Sequence, residues 1–189
     1  GIFGGSLTLG GNSMNNFVDT GLGAPVVTIG LGTSLTLANS VNAFNNLPVQ
    51  LDGSLIFNQS TDAIFDGGLL DGGPLTKTGP NKLTLAGNNG SYSGPIQINT
   101  GTIIAGNGTT PLGTLSATIT NSAALDVNGK NLGGLAITVA GSGPTGAGAL
   151  VNNGGPQNSS LTSTANALQN VTMAGDTTIG GTGPFNTDT

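Results

Sequence analysis

The sequence predicts an all-β fold, a right-handed parallel β-helix (β-solenoid) wound as one domain over residues 1–189. Three observations carry that prediction: short strands of alternating polarity, their recurrence near every 20 residues, and turn-forming residues at each junction.

The alternation is plain in Leu7-Thr8-Leu9, Leu35-Thr36-Leu37, Leu83-Thr84-Leu85, Ile96-Gln97-Ile98, Leu125-Asp126-Val127, Ile137-Thr138-Val139 and Val171-Thr172-Met173. A period of two sends one set of side chains inward and the other to solvent, as in a half-buried strand. Gly, Asn, Asp, Ser or Pro bounds each run, and these residues tolerate turn dihedrals. The one helical signal is a single turn at Thr164-Ala165-Asn166-Ala167-Leu168-Gln169.

Recurrence is the second signal. The first apolar residues Leu7, Leu35, Leu55, Leu83, Ile103, Leu125, Leu150 and Val171 are separated by 28, 20, 28, 20, 22, 25 and 21. A second class, Ile98, Ile119, Val139, Leu161 and Ile179, gives 21, 20, 22 and 18. Two interleaved ladders of shared spacing describe a coil that revisits the same faces, with insertions absorbed as loops. Rungs of roughly 20–28 residues, eight or nine in number, would stack into a rod about 40 Å long. A sandwich or jelly roll is the competing architecture. It would need Asn-Gly or Asp-Gly hairpins between paired strands, and Asp52-Gly53, Asp66-Gly67, Asn89-Gly90 and Asn128-Gly129 do not separate strands that way. Asparagine also tolerates corners, and stacked copies would hydrogen-bond along the axis.

Composition separates this chain from a disordered one. Glycine fills 35 of 189 positions, far above the usual ~7%. Leu, Ile, Val and Phe still make up about a quarter of the chain, and the net charge is only −5. There is no His, Cys, Trp, Arg or Glu. Three lysines, Lys77, Lys82 and Lys130, make no phosphate-tracking stripe, so nucleic acid is not an expected partner. Without cysteine, stability must come from packing and backbone ladders. No apolar run is long enough to cross a bilayer as a helix. Gly1-Ile2-Phe3-Gly4 reads as the start of a processed chain or an excised segment.

Residues 75–107 read LTKTGPNKLTLAGNNGSYSGPIQINTGTIIAGN. This resembles the passenger-associated transport repeat, also called the autotransporter-associated β-strand repeat. The matching positions are Leu75, Thr76, Lys77, Gly79, Leu83, Thr84, Leu85, Gly87, Tyr92, Gly94, Ile98, Gly101 and Thr102. Asn81-Lys82 departs from the usual Gly-x before the strand, and Ile103 stands where Leu is common; neither breaks the alternation. A weaker echo at 147–183 is similar to the spacers between such repeats. The resemblance implies a β-helical passenger of a large bacterial surface or secreted protein, located outside the cell or on its surface.

Asp62, Asp66 and Asp71 form the one acidic cluster, read either as an acid/base pair or calcium site, or as turn-favouring corners. The corner reading fits Asp66-Gly67 and Asp71-Gly72. Arginine to hold a uronate and histidine for a nucleophilic triad are both absent. Asn186-Thr187-Asp188 is similar to a polygalacturonase tripeptide, but its His and Arg partners do not exist here. Calcium repeats of the Gly-Gly-x-Gly-x-Asp type are also missing. No cofactor or metal is expected.

The threonine pairs Thr76/Thr78, Thr118/Thr120 and Thr162/Thr164 read as belonging to different strand classes on non-adjacent rungs, hence as scattered exposed residues and not an array. Tyr92 is expected to pack across a corner, with stacking on a sugar as the alternative. Lys77 and Lys82 read as solvated. The function expected is therefore a non-catalytic structural or adhesive surface element. A carbohydrate-binding module is the second reading, and a polysaccharide-degrading enzyme the third. Uncapped rung ends leave unpaired backbone groups, so the expected partner is a further copy, end to end or laterally, or the continuation of a longer chain. Surface glycans are the other candidate partner.

Overall fold

Most of the described strands hold two to five residues because each side of the coil admits only a few before it turns. The computed structural model describes residues 6–9, 27–38, 47–106, 110–157 and 168–185. Three parallel sheets form the sides. The first has eight strands, in the order β1 (Ser6–Leu9), β3 (Ser34–Leu37), β5 (Ser54–Phe57), β8 (Leu75–Lys77), β10 (Pro95–Ile98), β12 (Ser116–Ile119), β14 (Ala136–Gly141) and β16 (Asn170–Thr177). The second has six: β6 (Ala63–Phe65), β9 (Lys82–Leu85), β11 (Gly101–Ala105), β13 (Ala123–Asp126), β15 (Leu150–Asn152) and β17 (Ile179–Gly181). The third holds β2 (Val27–Ile29), β4 (Val49–Leu51) and β7 (Leu69–Leu70). All strand pairs are parallel, and no helix occurs among the described residues. The molecule is a parallel β-solenoid.

Register explains the alternation. Leu35, Leu55, Leu75, Ile96, Ala117 and Ile137 stack in one column, and Leu37, Phe57, Lys77, Ile98, Ile119 and Val139 in the next. On the second sheet Leu83 pairs with Ile103, Ile103 with Leu125, and Leu125 with Leu150. These residues are almost fully buried and form one continuous core along the coil. Phe57 and Phe65 meet edge to face inside it, with ring centroids 5.3 Å apart.

The coil departs from the spacing in the sequence in two respects. The first apolar series is not one ladder. Leu55 lies beneath Leu75, not Leu83, because the 28-residue gap from Leu55 to Leu83 crosses from the first sheet to the second. Val171 likewise stacks on Ile137, and Ile179 on Leu150. The rung count differs as well. Six strands on the second sheet close about five complete turns, and only the first sheet carries eight strands. Steps between stacked mates run from 20 residues (Leu35 to Leu55) to 36 (Gly141 to Thr177, after a register shift). A count from chain length misses these excursions, which leave the strands stacked and spend residues elsewhere. Leu161, the Thr164–Ala167 part of the helical turn and Asn186-Thr187-Asp188 lie outside the described residues.

In a coil whose rungs touch only their neighbours, each column residue is held by the rungs above and below. Leu83→Ala should therefore lower unfolding stability by about 2–5 kcal/mol, measured by denaturant titration with the slope unchanged.

Candidate functional site

The stretch 75–105 contributes β8 through β11 and the three connections between them, and its motif residues divide between core, corner and outer face. Leu75, Leu83, Leu85 and Ile98 point inward; Thr76, Thr84 and Thr102 face outward. Gly79, Gly87 and Gly94 lie so close to the backbone of the rung below that a Cβ would collide with it. Gly101 opens β11 with φ +72°, and a Cβ there would meet the Asn81 carbonyl at 2.5 Å. Only glycine satisfies both conditions.

Tyr92 is completely buried at the third side, where it bridges Asp71. Its hydroxyl donates toward the carbonyls of Gly73, 2.9 Å away on the previous rung, and Pro95, 3.1 Å away. Burial pushes its pKa well above the ordinary phenol value, so it stays a neutral donor. The ring is thus a corner brace, and it cannot stack on a sugar.

Lys77 is not solvated. It occupies an inward position between Phe57 and Ile98, with no exposed surface, because its place in the strand dictates its direction whatever its polarity. Its ammonium donates to the Gly79 carbonyl and lies 3.4 Å from the Thr100 carbonyl of the next rung. Burial lowers its pKa from 10.5 to about 8, and the negative charge of Asp62 opposes that shift. Lys82, by contrast, is exposed; its backbone N–H donates to Asp62 at 2.9 Å.

Asparagines link the rungs, though not by stacking on copies of themselves. Buried Asn89 accepts from the Leu69 N–H at 2.7 Å and donates to the Pro111 carbonyl at 2.6 Å, joining three rungs. Asn152 repeats the device between the Gly129 N–H and the Pro184 carbonyl. Asp126, nearly buried, accepts from the N–H groups of Asn128 and Asn153 and from the Asn153 side chain at 2.9–3.0 Å. Sequence reasoning missed all three roles, since nothing local separates a stitching Asn from a turn Asn.

Asp62, Asp66 and Asp71 are all exposed, and no group of three or more acidic side chains among the described residues is placed to hold a metal. Asp71 sits at φ 68°, the left-handed conformation a corner uses.

The threonines require the opposite correction. Thr76 and Thr118 belong to the same sheet, not to different strand classes. Along the eight strands the register runs Thr8, Thr36, Ile56, Thr76, Gln97, Thr118, Thr138 and Thr172, one column broken twice and facing outward from Thr36 onward. Thr118, Thr120, Thr138 and Ala140 border a shallow open groove on this face. Thr162 and Thr164 lie outside the described residues.

These features define a structural β-solenoid repeat. Residues 75–105 match the model of the passenger-associated-transport-repeat family, and this stretch is built into the parallel coil. No curated protein and no solved structure matches the chain.

Two substitutions test the interior polar residues. The unfolded chain holds the Lys77 proton to pH 10.5 and the folded chain only to about 8. The cost of the buried charge is therefore fully present below pH 8 and disappears as pH rises to 10.5. Melting curves should show stability rising across that window, and Lys77→Met should abolish the rise. Gln59 is 1% exposed, and both polar atoms of its side chain lack hydrogen-bond partners. Gln59→Leu should stabilise the fold by about 1–3 kcal/mol, read from the denaturation midpoint.

Proposed function

We propose that the chain is a non-catalytic, extracellular segment of a bacterial surface or secreted protein, acting as a stiff structural and adhesive rod. The observation that carries this reading is the passenger-associated transport repeat set in register within an unbroken parallel coil. The repeat's distinctive residues are occupied in holding the coil: Lys77 on carbonyls, Tyr92 across a corner, glycines against backbone. The exposed aspartates are better explained as corner and backbone partners than as an acid/base pair, since Asp62 accepts from the Lys82 N–H. Stability comes from ladders and a continuous core, which suits life outside the cell without disulfides.

A second reading, binding of neutral polysaccharide, is favoured by the outward threonine column. That column presents hydroxyls at the strand repeat of about 4.8 Å and carries no charge along eight strands.

The test is retention of the purified chain on bacterial, host-cell and polysaccharide surfaces, together with turnover assays on the same polysaccharides. Saturable retention without turnover is expected. Cleavage abolished by Asp62→Asn or Asp66→Asn would overturn the rod reading. Retention confined to neutral polysaccharide and lost in a Thr118→Arg, Thr138→Arg double variant would establish the second reading instead.

A further inference from the structure

Four Asn-Gly pairs occur in the chain: Asn89-Gly90, Asn107-Gly108, Asn128-Gly129 and Asn153-Gly154. Such a pair has a chemical weakness. The glycine main-chain nitrogen, once it loses its proton, can attack the asparagine Cγ, because no side chain hinders its approach. A bond forms between that nitrogen and Cγ, the Cγ–Nδ2 bond breaks, and the amide leaves as ammonia after taking up a proton. Water then opens the resulting succinimide to aspartate or isoaspartate.

Asn107-Gly108 lies outside the described residues. In the other three pairs the attacking N–H is already committed, each time to an asparagine side-chain oxygen. Gly90 N–H donates to Asn88 Oδ1 at 3.2 Å, while Gly129 N–H and Gly154 N–H donate to Asn152 Oδ1 at 2.8 and 3.1 Å. The leaving amides are held too. Asn89 Nδ2 donates to the Pro111 carbonyl, Asn128 Nδ2 to the Ala105 carbonyl and Asn153 Nδ2 to Asp126. Burial shields Asn89, but Asn153 is exposed and Asn128 half-buried, so those two depend on hydrogen bonds. Asn152 is completely buried and fixed by its own donation to the Gly155 and Pro184 carbonyls. One oxygen thus serves corners on two successive rungs.

We propose that Asn128 and Asn153 are deamidation sites kept silent in the folded coil by Asn152, whose side-chain oxygen captures both attacking N–H groups. What the lock guards is contact between turns. An aspartate at 153 would face the Asp126 carboxylate where an amide now donates at 2.9 Å, and an aspartate at 128 would lose the bond to Ala105. The lock sets the chemical lifetime of the coil, whatever surface the rod meets.

The 189-residue chain is incubated at mildly alkaline pH, in buffer and in denaturant, and deamidation at each asparagine is followed by peptide mass mapping. Amide hydrogen exchange at Gly129 and Gly154 is read by NMR on the folded chain. Asn128 and Asn153 should react in denaturant and be slower by about tenfold or more when folded, the worth of two hydrogen bonds. The Gly129 and Gly154 amides should be protected by a similar factor, since both reactions wait for the same local opening. Asn152→Ala should speed Asn128 and Asn153 by about fivefold, one hydrogen bond's worth. Asn89, whose glycine is held by Asn88, should keep its rate. Folded wild type that deamidates at Asn128 or Asn153 as fast as the denatured chain overturns the proposal. So do Gly129 and Gly154 amides that exchange at free-peptide rates, and so does an Asn152→Ala chain with wild-type circular dichroism and wild-type deamidation. If Asn152→Ala speeds Asn89 as well, the coil has loosened throughout, and the two wild-type measurements decide.

Discussion

The structure depends on one constraint: each inward residue must rest on its mate one turn earlier, in parallel register. Leu35 on Leu55, Leu55 on Leu75 and Leu83 on Ile103 are the same contact repeated, each member almost fully buried. That repetition replaces the wide core of a sandwich with a narrow one, which a chain with one Tyr, six Phe and no Trp can fill. It also makes the corners demanding. A coil that must return to register after about 20 residues leaves little freedom where it turns. Hence the glycines packed against backbone, the left-handed Asp71, and the buried Tyr92 and Asn89 that tie corner to corner.

How much of this was legible in the sequence follows from what a period of two encodes. Alternation says inside or outside, and it did so for Leu83-Thr84-Leu85 and Ile96-Gln97-Ile98. Spacing near 20 says that faces recur. Neither says which face a strand belongs to. A single series through Leu55 and Leu83 therefore mixes two sides, and spacing does not reveal that Thr76 and Thr118 share one. Side-chain chemistry misled at Lys77 for a related reason. An ammonium suggests solvent, but two residues after Leu75 on the same strand it has no outward option, and backbone carbonyls receive it instead. The buried amide of Gln59 carries no local mark either, being a polar residue in a polar stretch.

The recognisable motif has a physical meaning in this setting. Leu75, Leu83, Leu85 and Ile98 supply core columns found throughout the coil, and the specificity of the pattern resides in Lys77, Gly79, Tyr92, Gly94 and Gly101. Those residues govern how the chain leaves one side and enters the next. Rungs outside 75–105 meet the same need with other means, such as Asn152 holding Gly129 and Pro184, so the family pattern fades while the coil continues. Outward positions escape this demand, which is why the threonine column tolerates Ile56 and Gln97.

The neighbourhood of Phe57, Gln59 and Lys77 gives the coil an uneven grain. At this level Lys77 takes the column position next to Phe57, its ammonium turned to backbone carbonyls, and the Gln59 amide lies without a mate. A stack held by adjacent layers parts at its poorest seam. Tension applied along the axis would part the coil first between β5 and β8, with the repeat left whole on the β8 side.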